Sequence, residues 1–107
     1  MECEVRFADE KLKEAFETLE YKDKEFYEEL QKARDEICKN AYCGRNVKKK
    51  LIPKEYIQRY NLNNLWIYDL RDGWRLLYTI SNLGRVDILA IVLDWMNHKD
   101  YERLFGF

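Results

Sequence analysis

The first forty residues show two different hydrophobic periods. In residues 2–7 apolar and charged side chains alternate, which is typical of a half-buried β-strand. Asp9 then suits a helix N-cap, and apolar residues follow it at helical spacing. Asp23 is placed to cap a second, longer helix with its own apolar stripe. Two amphipathic helices joined so closely predict an antiparallel hairpin that packs on an apolar surface.

The second half of the chain predicts β-structure. Residues 65–70 and 74–80 read as two strands, and the Asp-Gly pair between them is a hairpin-turn signal. A turn at residues 81–84 leads into a third strand, 86–95, and residues 98–105 predict a terminal helix.

A basic loop, residues 45–64, separates the helical half from the β half. Within it, Pro53 is well placed to begin a short helix that continues to Tyr60.

The strand patterns predict how these elements pack. Trp74, Leu76 and Tyr78 share one side of the middle strand, which is a natural floor for the helix pair. Strand 86–95 is apolar on both sides, so we expect it to be central, with the N-terminal strand beside it. The prediction is one α+β domain over residues 1–107, with element order β-α-α-β-β-β-α. Its four-stranded, mainly antiparallel sheet carries the N-terminal helical hairpin on one face and a short C-terminal helix, and leaves its other face comparatively open.

Composition indicates a cytoplasmic protein that needs no metal and no cofactor. Hydrophobic residues make up 47% of the chain, enough for a core of its own. No apolar run approaches the roughly 20 residues that span a bilayer, and the N-terminus lacks signal-peptide character. Three cysteines in no zinc-like spacing are expected to be reduced thiols. We therefore predict no metal, no cofactor and no membrane partner, and the oligomeric state stays open.

Charge is divided unevenly along the chain. Residues 1–40 hold 8 basic and 13 acidic side chains, net −5, whereas residues 41–107 hold 11 basic and 7 acidic ones, net +4. Such a basic half suits an anionic partner, and equally a solvated surface segment.

Three features could carry chemistry. Arg75 emerges in mid-strand where an aliphatic residue is expected, and a guanidinium suits bidentate phosphate recognition. His98 and Tyr101 are three residues apart, on one face of the terminal helix; an imidazole exchanges protons near neutral pH, although a lone histidine there is also typical of a cap or surface position. The run Lys48–Lys50 is either an anion contact or a solvated loop.

The order of these residues resembles a known family. Residues 64–78 are similar to the central hairpin of RelE-type toxins, in which a Trp/Tyr-Arg-Leu/Val-x-Tyr strand follows a short turn. Their sequence here is Asn-Leu-Trp-Ile-Tyr-Asp-Leu-Arg-Asp-Gly-Trp-Arg-Leu-Leu-Tyr. Residues 94–105 resemble the closing His-Lys-x-Tyr-Glu/Asp-Arg segment of the RelE/ParE superfamily. The strand and helical hairpin that precede them agree in order and length.

The resemblance implies the toxin of a type II toxin–antitoxin pair, a ribosome-dependent endoribonuclease that cuts mRNA by attack of a ribose 2′-hydroxyl on the adjacent phosphate. Its partners would be a cognate antitoxin, the ribosome and mRNA. Arg75 matches the family's phosphate ligand, His98 its proton-transfer position, and Tyr101 the tyrosine that stacks on or orients a base. The RNA- or phosphate-binding residues predicted beside them are Arg45, Lys48, Lys49, Lys50, Lys54, Arg71 and Arg103. The alternative is a non-nuclease protein of the same fold, either a ParE-like gyrase inhibitor or an inactive relative that acts only as a protein-binding module.

Overall fold

In the computed structural model, which describes residues 3–81 and 88–106, one mixed sheet has helices on both of its faces. In chain order the elements are β1 (Cys3–Phe7), α1 (Glu10–Lys22), α2 (Lys24–Lys39), β2 (Arg45–Asn46), α3 (Lys54–Tyr60), β3 (Trp66–Asp69), β4 (Arg75–Ser81), β5 (Ile88–Met96) and α4 (His98–Phe105). The five strands found in these ranges are ordered β1-β5-β4-β3-β2. β1 runs parallel to β5, and the other neighbours are antiparallel. The predicted α+β class and the place of β1 beside β5 are confirmed.

The helical hairpin packs on the first face of the sheet, as its apolar stripes predict. Asp9 caps α1 by accepting the Leu12 N–H at 2.8 Å, and Asp23 caps α2 by accepting the Phe26 N–H at 3.2 Å. The core under the two helices joins buried residues of α1 and α2 to those of β4 and β5, among them Phe16, Leu30, Ile37, Leu76, Tyr78 and Val92.

The turn between β3 and β4 fixes the register of that hairpin. Asp72 and Gly73 both have positive φ values, 56° and 78°, which Asp and Gly tolerate better than most residues. Asp69 consequently lies opposite Arg75 across the two strands. The predicted Asp-Gly hairpin is confirmed, whereas most of the next predicted turn, residues 82–84, lies outside the described residues.

The second face of the sheet, which carries Ile67, Leu77 and Leu93, is not open as predicted. Tyr56 of α3 and Tyr101 of α4 pack against these side chains and build a second core. The prediction failed because Leu77 and its neighbours require burial as much as the residues on the first face do, and the two short helices supply the covering apolar surface.

The predicted count of four strands is also wrong. Residues 45–46, predicted as part of a loop, form the additional edge strand β2, in which Arg45 pairs with Ile67 of β3. A strand of two residues is too short for an alternating pattern, so its pairing depends on the neighbouring β3 rather than on its own sequence.

Candidate functional site

Arg75, the first residue of β4, is fixed from three directions on the second face. Its guanidinium carbon lies 5.0 Å from the centre of the Tyr101 ring, a cation–π contact. Its Nη1 donates to the Gly73 carbonyl at 2.6 Å. Its Nε lies 3.1 Å from Oδ1 of Asp69, a charge contact that falls outside hydrogen-bond geometry. These contacts come from β3, the β3–β4 turn and α4, so the guanidinium is held in one orientation; 18% of the side chain is exposed, and its Nε is buried.

Asp69 connects Arg75 to a second arginine. Arg45 of β2 binds the same carboxylate in bidentate fashion, with Nη2 2.7 Å from Oδ1 and Nε 3.1 Å from Oδ2. Hydrogen bonding to Asp69 raises the pKa of the Arg45 guanidinium above its usual value, and Tyr101 contributes in the same direction. Arg45 and Arg75 therefore share one carboxylate and one aromatic neighbour, and together we call them the arginine pair.

The aromatic ring of Tyr101 lies under the Arg75 guanidinium and supports it. The Asn97 side chain caps α4 by accepting the Asp100 N–H at 2.9 Å, which places Tyr101 one turn into the helix. Its ring packs 4.8 Å from that of Phe105 and has an exposed fraction of only 9%. A ring this buried, with Arg75 over it, orients the arginine rather than offering an open face to a nucleobase.

His98 lies at the same end of the sheet. A Cβ atom placed on Gly73 would be 3.2 Å from the His98 Cβ, so the glycine lets the start of α4 approach the β3–β4 turn. The His98 Nε2 contacts the carboxylate of Glu102, one turn further along α4. With 59% of its side chain exposed, the His98 imidazole faces solvent close to Gly73, the residue whose carbonyl accepts from Arg75 Nη1.

A groove of about 290 Å³ lies along β2 and α4, and Arg45 and Tyr101 are among its lining residues. Arg45 and Lys48 form the basic rim of this groove. Val47, Leu51 and Phe105 form its apolar wall. Of the other basic residues predicted to bind phosphate, Lys49, Lys50 and Lys54 are exposed on the segment that continues from this rim.

The structure does not bring all the predicted basic residues to this site. Arg71 is directed toward the opposite face of the sheet, where it contacts Glu25 at 3.3 Å and Glu29 at 3.8 Å on α2. Arg103 is exposed on α4 and pairs with Asp100 at 3.5 Å.

A larger groove of about 780 Å³ lies elsewhere, between β1 and the helical hairpin. Arg34 spans it, with its guanidinium 5.0 Å from the Phe7 ring and 5.2 Å from the Phe16 ring. None of the residues predicted to be functional lines this groove. We place the candidate site at the cluster of Arg75, Tyr101 and His98, which adjoins the smaller groove through Tyr101 and Arg45.

Sequence reasoning missed the part played by Asp69. The signal was present in the hairpin, because counting outward from Asp72 pairs position 69 with Arg75. The bidentate contact with Arg45 had no such signal, since it depends on β2, which the sequence pattern does not reveal.

The cysteines give one further correction. Cys43 is a free, exposed thiol, whereas Cys38 is disulfide-bonded, so the expectation of reduced thiols is wrong for Cys38. Disulfides are rare in cytosolic proteins, which makes the oxidation state of Cys38 in cells a direct check on the predicted location. Within the ranges described, no helix combines the length and apolar character needed to cross a membrane.

Comparison with known proteins adds no relative: no protein family, no curated protein and no solved structure matches this chain.

Proposed function

We propose that this chain is the toxin of a type II toxin–antitoxin pair, a RelE-like endoribonuclease that cuts mRNA on the ribosome. The observation that carries the proposal is the meeting of Arg75, Tyr101 and His98 at one end of the sheet, where Arg45 joins them. The basic character of residues 41–107, net +4, supports an anionic substrate.

The proposed reaction needs charge stabilisation more than it needs a nucleophile from the protein. The ribose 2′-oxygen attacks the adjacent phosphorus, its proton leaves to a base, and the bond to the 5′-oxygen breaks as that oxygen takes up a proton. The products are a 2′,3′-cyclic phosphate and a free 5′-hydroxyl. Guanidinium N–H donors from Arg45 and Arg75 are suited to the non-bridging oxygens, where negative charge grows in the transition state.

The remaining two residues take different roles. His98 is exposed, and among the residues of this site its imidazole is the side chain suited to proton transfer near neutral pH. Tyr101 acts as a positioning residue, because its buried ring supports Arg75.

The exposed lysines would extend contact with the RNA backbone. Lys48 on the groove rim, followed by Lys49, Lys50 and Lys54, offers phosphate contacts next to the arginine pair. Arg71 takes no part in the proposal because it contacts α2.

Ion pairing within the site favours a second candidate function. Asp69 already neutralises part of the charge of both arginines, and Glu102 contacts His98, so these groups have ionic partners without a substrate. A non-nuclease toxin of this fold, ParE-like or inactive, would use the same surface for a protein partner.

Single-turnover cleavage of mRNA on programmed ribosomes separates the two. We expect Arg75→Ala to lower the cleavage rate by about 10²–10³-fold and His98→Ala by about 10²–10⁴-fold. Tyr101→Phe should cost less, because it keeps the ring under Arg75. Arg71→Ala is the matched control, since it removes an arginine of the same hairpin from the other side of the sheet and should cleave like the wild type.

Circular dichroism establishes that each variant is folded. Cleavage at the wild-type rate by folded Arg75→Ala and His98→Ala proteins would exclude this site. Intact mRNA with the wild-type protein, together with gyrase inhibition, would establish the non-nuclease alternative.

A further inference from the structure

Asp69 is placed between the two arginines in a way that affects both. It is the last residue of β3, lies opposite Arg75 in the register of the hairpin, and accepts two hydrogen bonds from Arg45. The same Oδ1 atom contacts Arg45 Nη2 at 2.7 Å and Arg75 Nε at 3.1 Å. Two guanidinium groups are thereby brought close together although like charges repel.

The carboxylate is not a buried structural anchor. Its side chain is 55% exposed, and exposed ion pairs contribute little to stability. Its electrostatic effect is larger, since it reduces the local charge of the pair from +2 to +1. An incoming phosphate therefore meets oriented donors whose attraction is weakened by a neighbouring anion.

We infer that Asp69 is a positioning residue of the proposed phosphate-binding site: it fixes Arg45 and Arg75 at one spacing and weakens their binding of the anion. The inference rests on the proposed function for the identity of the anion, an RNA phosphodiester. Its physical content is a trade between orientation and affinity: the fixed spacing of the two guanidinium groups serves the transition state, whereas the neighbouring anion weakens binding.

The variant that separates the two effects is Asp69→Asn, which removes the charge and keeps the size. Affinity for a single-stranded RNA oligonucleotide should rise roughly five-fold, the effect of removing one unit charge about 4 Å from a phosphate in water. The fall of log affinity with log salt should steepen, because the pair now offers one more uncompensated charge. In single-turnover cleavage the maximal rate should fall at least several-fold while half-saturation moves to lower concentration.

The matched control is Asp35→Asn, which makes the same change on an exposed position of α2, on the other side of the sheet. It should leave affinity, salt dependence and rate unchanged. If Asp69 only maintained the local structure, Asp69→Asn would bind RNA more weakly than the wild type. If only the net charge of the protein mattered, Asp69→Asn and Asp35→Asn would behave alike. Either result overturns the inference.

A direct readout keeps the inference testable even if the protein cuts no RNA. The Nε–H signals of Arg45 and Arg75 can be followed by ¹⁵N NMR during titration with inorganic phosphate and with the oligonucleotide. In Asp69→Asn both signals should move without ligand, because their shared partner has changed, and should respond at lower ligand concentration than in the wild type. If neither inorganic phosphate nor the oligonucleotide shifts the two Nε–H signals at lower concentration in Asp69→Asn than in the wild type, the inference fails. The mRNA cleavage assay tests the proposed function separately.

Discussion

Asp94 is a half-buried carboxylate on β5, and its surroundings oppose its charge. Burial raises its pKa from the ordinary value of 3.8, with Asp9 and Asp100 acting in the same direction. The Trp95 N–H, which donates to Asp94 Oδ1 at 2.8 Å, and the nearby Arg59 act in the opposite direction. The balance disfavours the ionised form in the folded protein.

We expect Asp94→Asn to stabilise the protein at pH 7, because the asparagine keeps an acceptor for the Trp95 N–H and removes the disfavoured charge. The gain should be on the order of 0.5 kcal/mol. A folded-state pKa above the unfolded one means that the wild type gains stability as pH falls through the folded value. The advantage of the variant should therefore shrink as pH falls through the folded-state pKa and disappear only below the ordinary value of 3.8, where both states are protonated.

Urea unfolding at a series of pH values between 7 and 4 measures this difference. Asp35→Asn, a change at an exposed site, should show no comparable pH-dependent gap. If the stability advantage of Asp94→Asn stayed constant with pH, packing and not ionisation would explain why Asp94 lowers the free energy of unfolding.

At the scale of elements, β4 anchors the chain that leads into β2. The Tyr78 hydroxyl donates to the Ala41 carbonyl at 2.7 Å and accepts the Gly44 N–H at 3.1 Å. There is no room for a side chain at Gly44, since a Cβ there would lie 2.7 Å from the Tyr78 hydroxyl and 2.8 Å from the Ile67 carbonyl oxygen. The position of Arg45, the next residue, therefore depends on this close approach.

Gly44→Ala should consequently harm both stability and the site. Crowding of this kind costs about 1–3 kcal/mol, and the displaced β2 should carry Arg45 away from Asp69. Urea unfolding measures the first effect, and the Arg45 Nε–H signal in ¹⁵N NMR measures the second. Gly106→Ala is the control: a Cβ there meets open space, so only its φ of 78° is unfavourable, and Arg45 should not respond. Equal losses in the two variants would refute the crowding explanation.

Over the whole molecule, the sequence predicted best where a local signal determines the structure. The caps Asp9 and Asp23, the short helix after Pro53 and the Asp72–Gly73 turn are all confirmed because each is encoded within a few residues. The second core and β2 were missed because they depend on contacts between distant segments.

The same division holds for the candidate site. Arg75, His98 and Tyr101 could be selected by residue type and spacing, and the structure places them near one another. The link from Asp69 to Arg45, 24 residues apart, arises only when β2 joins the sheet. Conversely, Arg71 was predicted to bind RNA or phosphate beside Arg75, and its tertiary contacts with Glu25 and Glu29 place it on the other face of the sheet.

Charge is also distributed by face, which bears on how the molecule would meet a polyanion. α1 and α2, which together carry nine acidic and seven basic side chains, cover the first face of the sheet, while the basic residues of the 45–54 segment and the arginine pair lie with the second core. Under the proposed function, mRNA would therefore approach the second face, and α1 and α2 would face away from it.

The proposed function predicts that production of the protein without its antitoxin arrests growth. In translating cells, mRNA should be cut, because the exposed basic face and the arginine pair are then free to engage it. Primer extension on a reporter transcript would locate the cuts, and a plasmid-topology assay on the same cells would detect gyrase inhibition. Arg75→Ala should restore growth at equal protein level, whereas Arg71→Ala, which alters the opposite side of the hairpin, should stay toxic. Arrest by both proteins with intact mRNA would assign the toxicity to a partner surface away from Arg75, and normal growth with the wild type at high expression would point to an inactive relative.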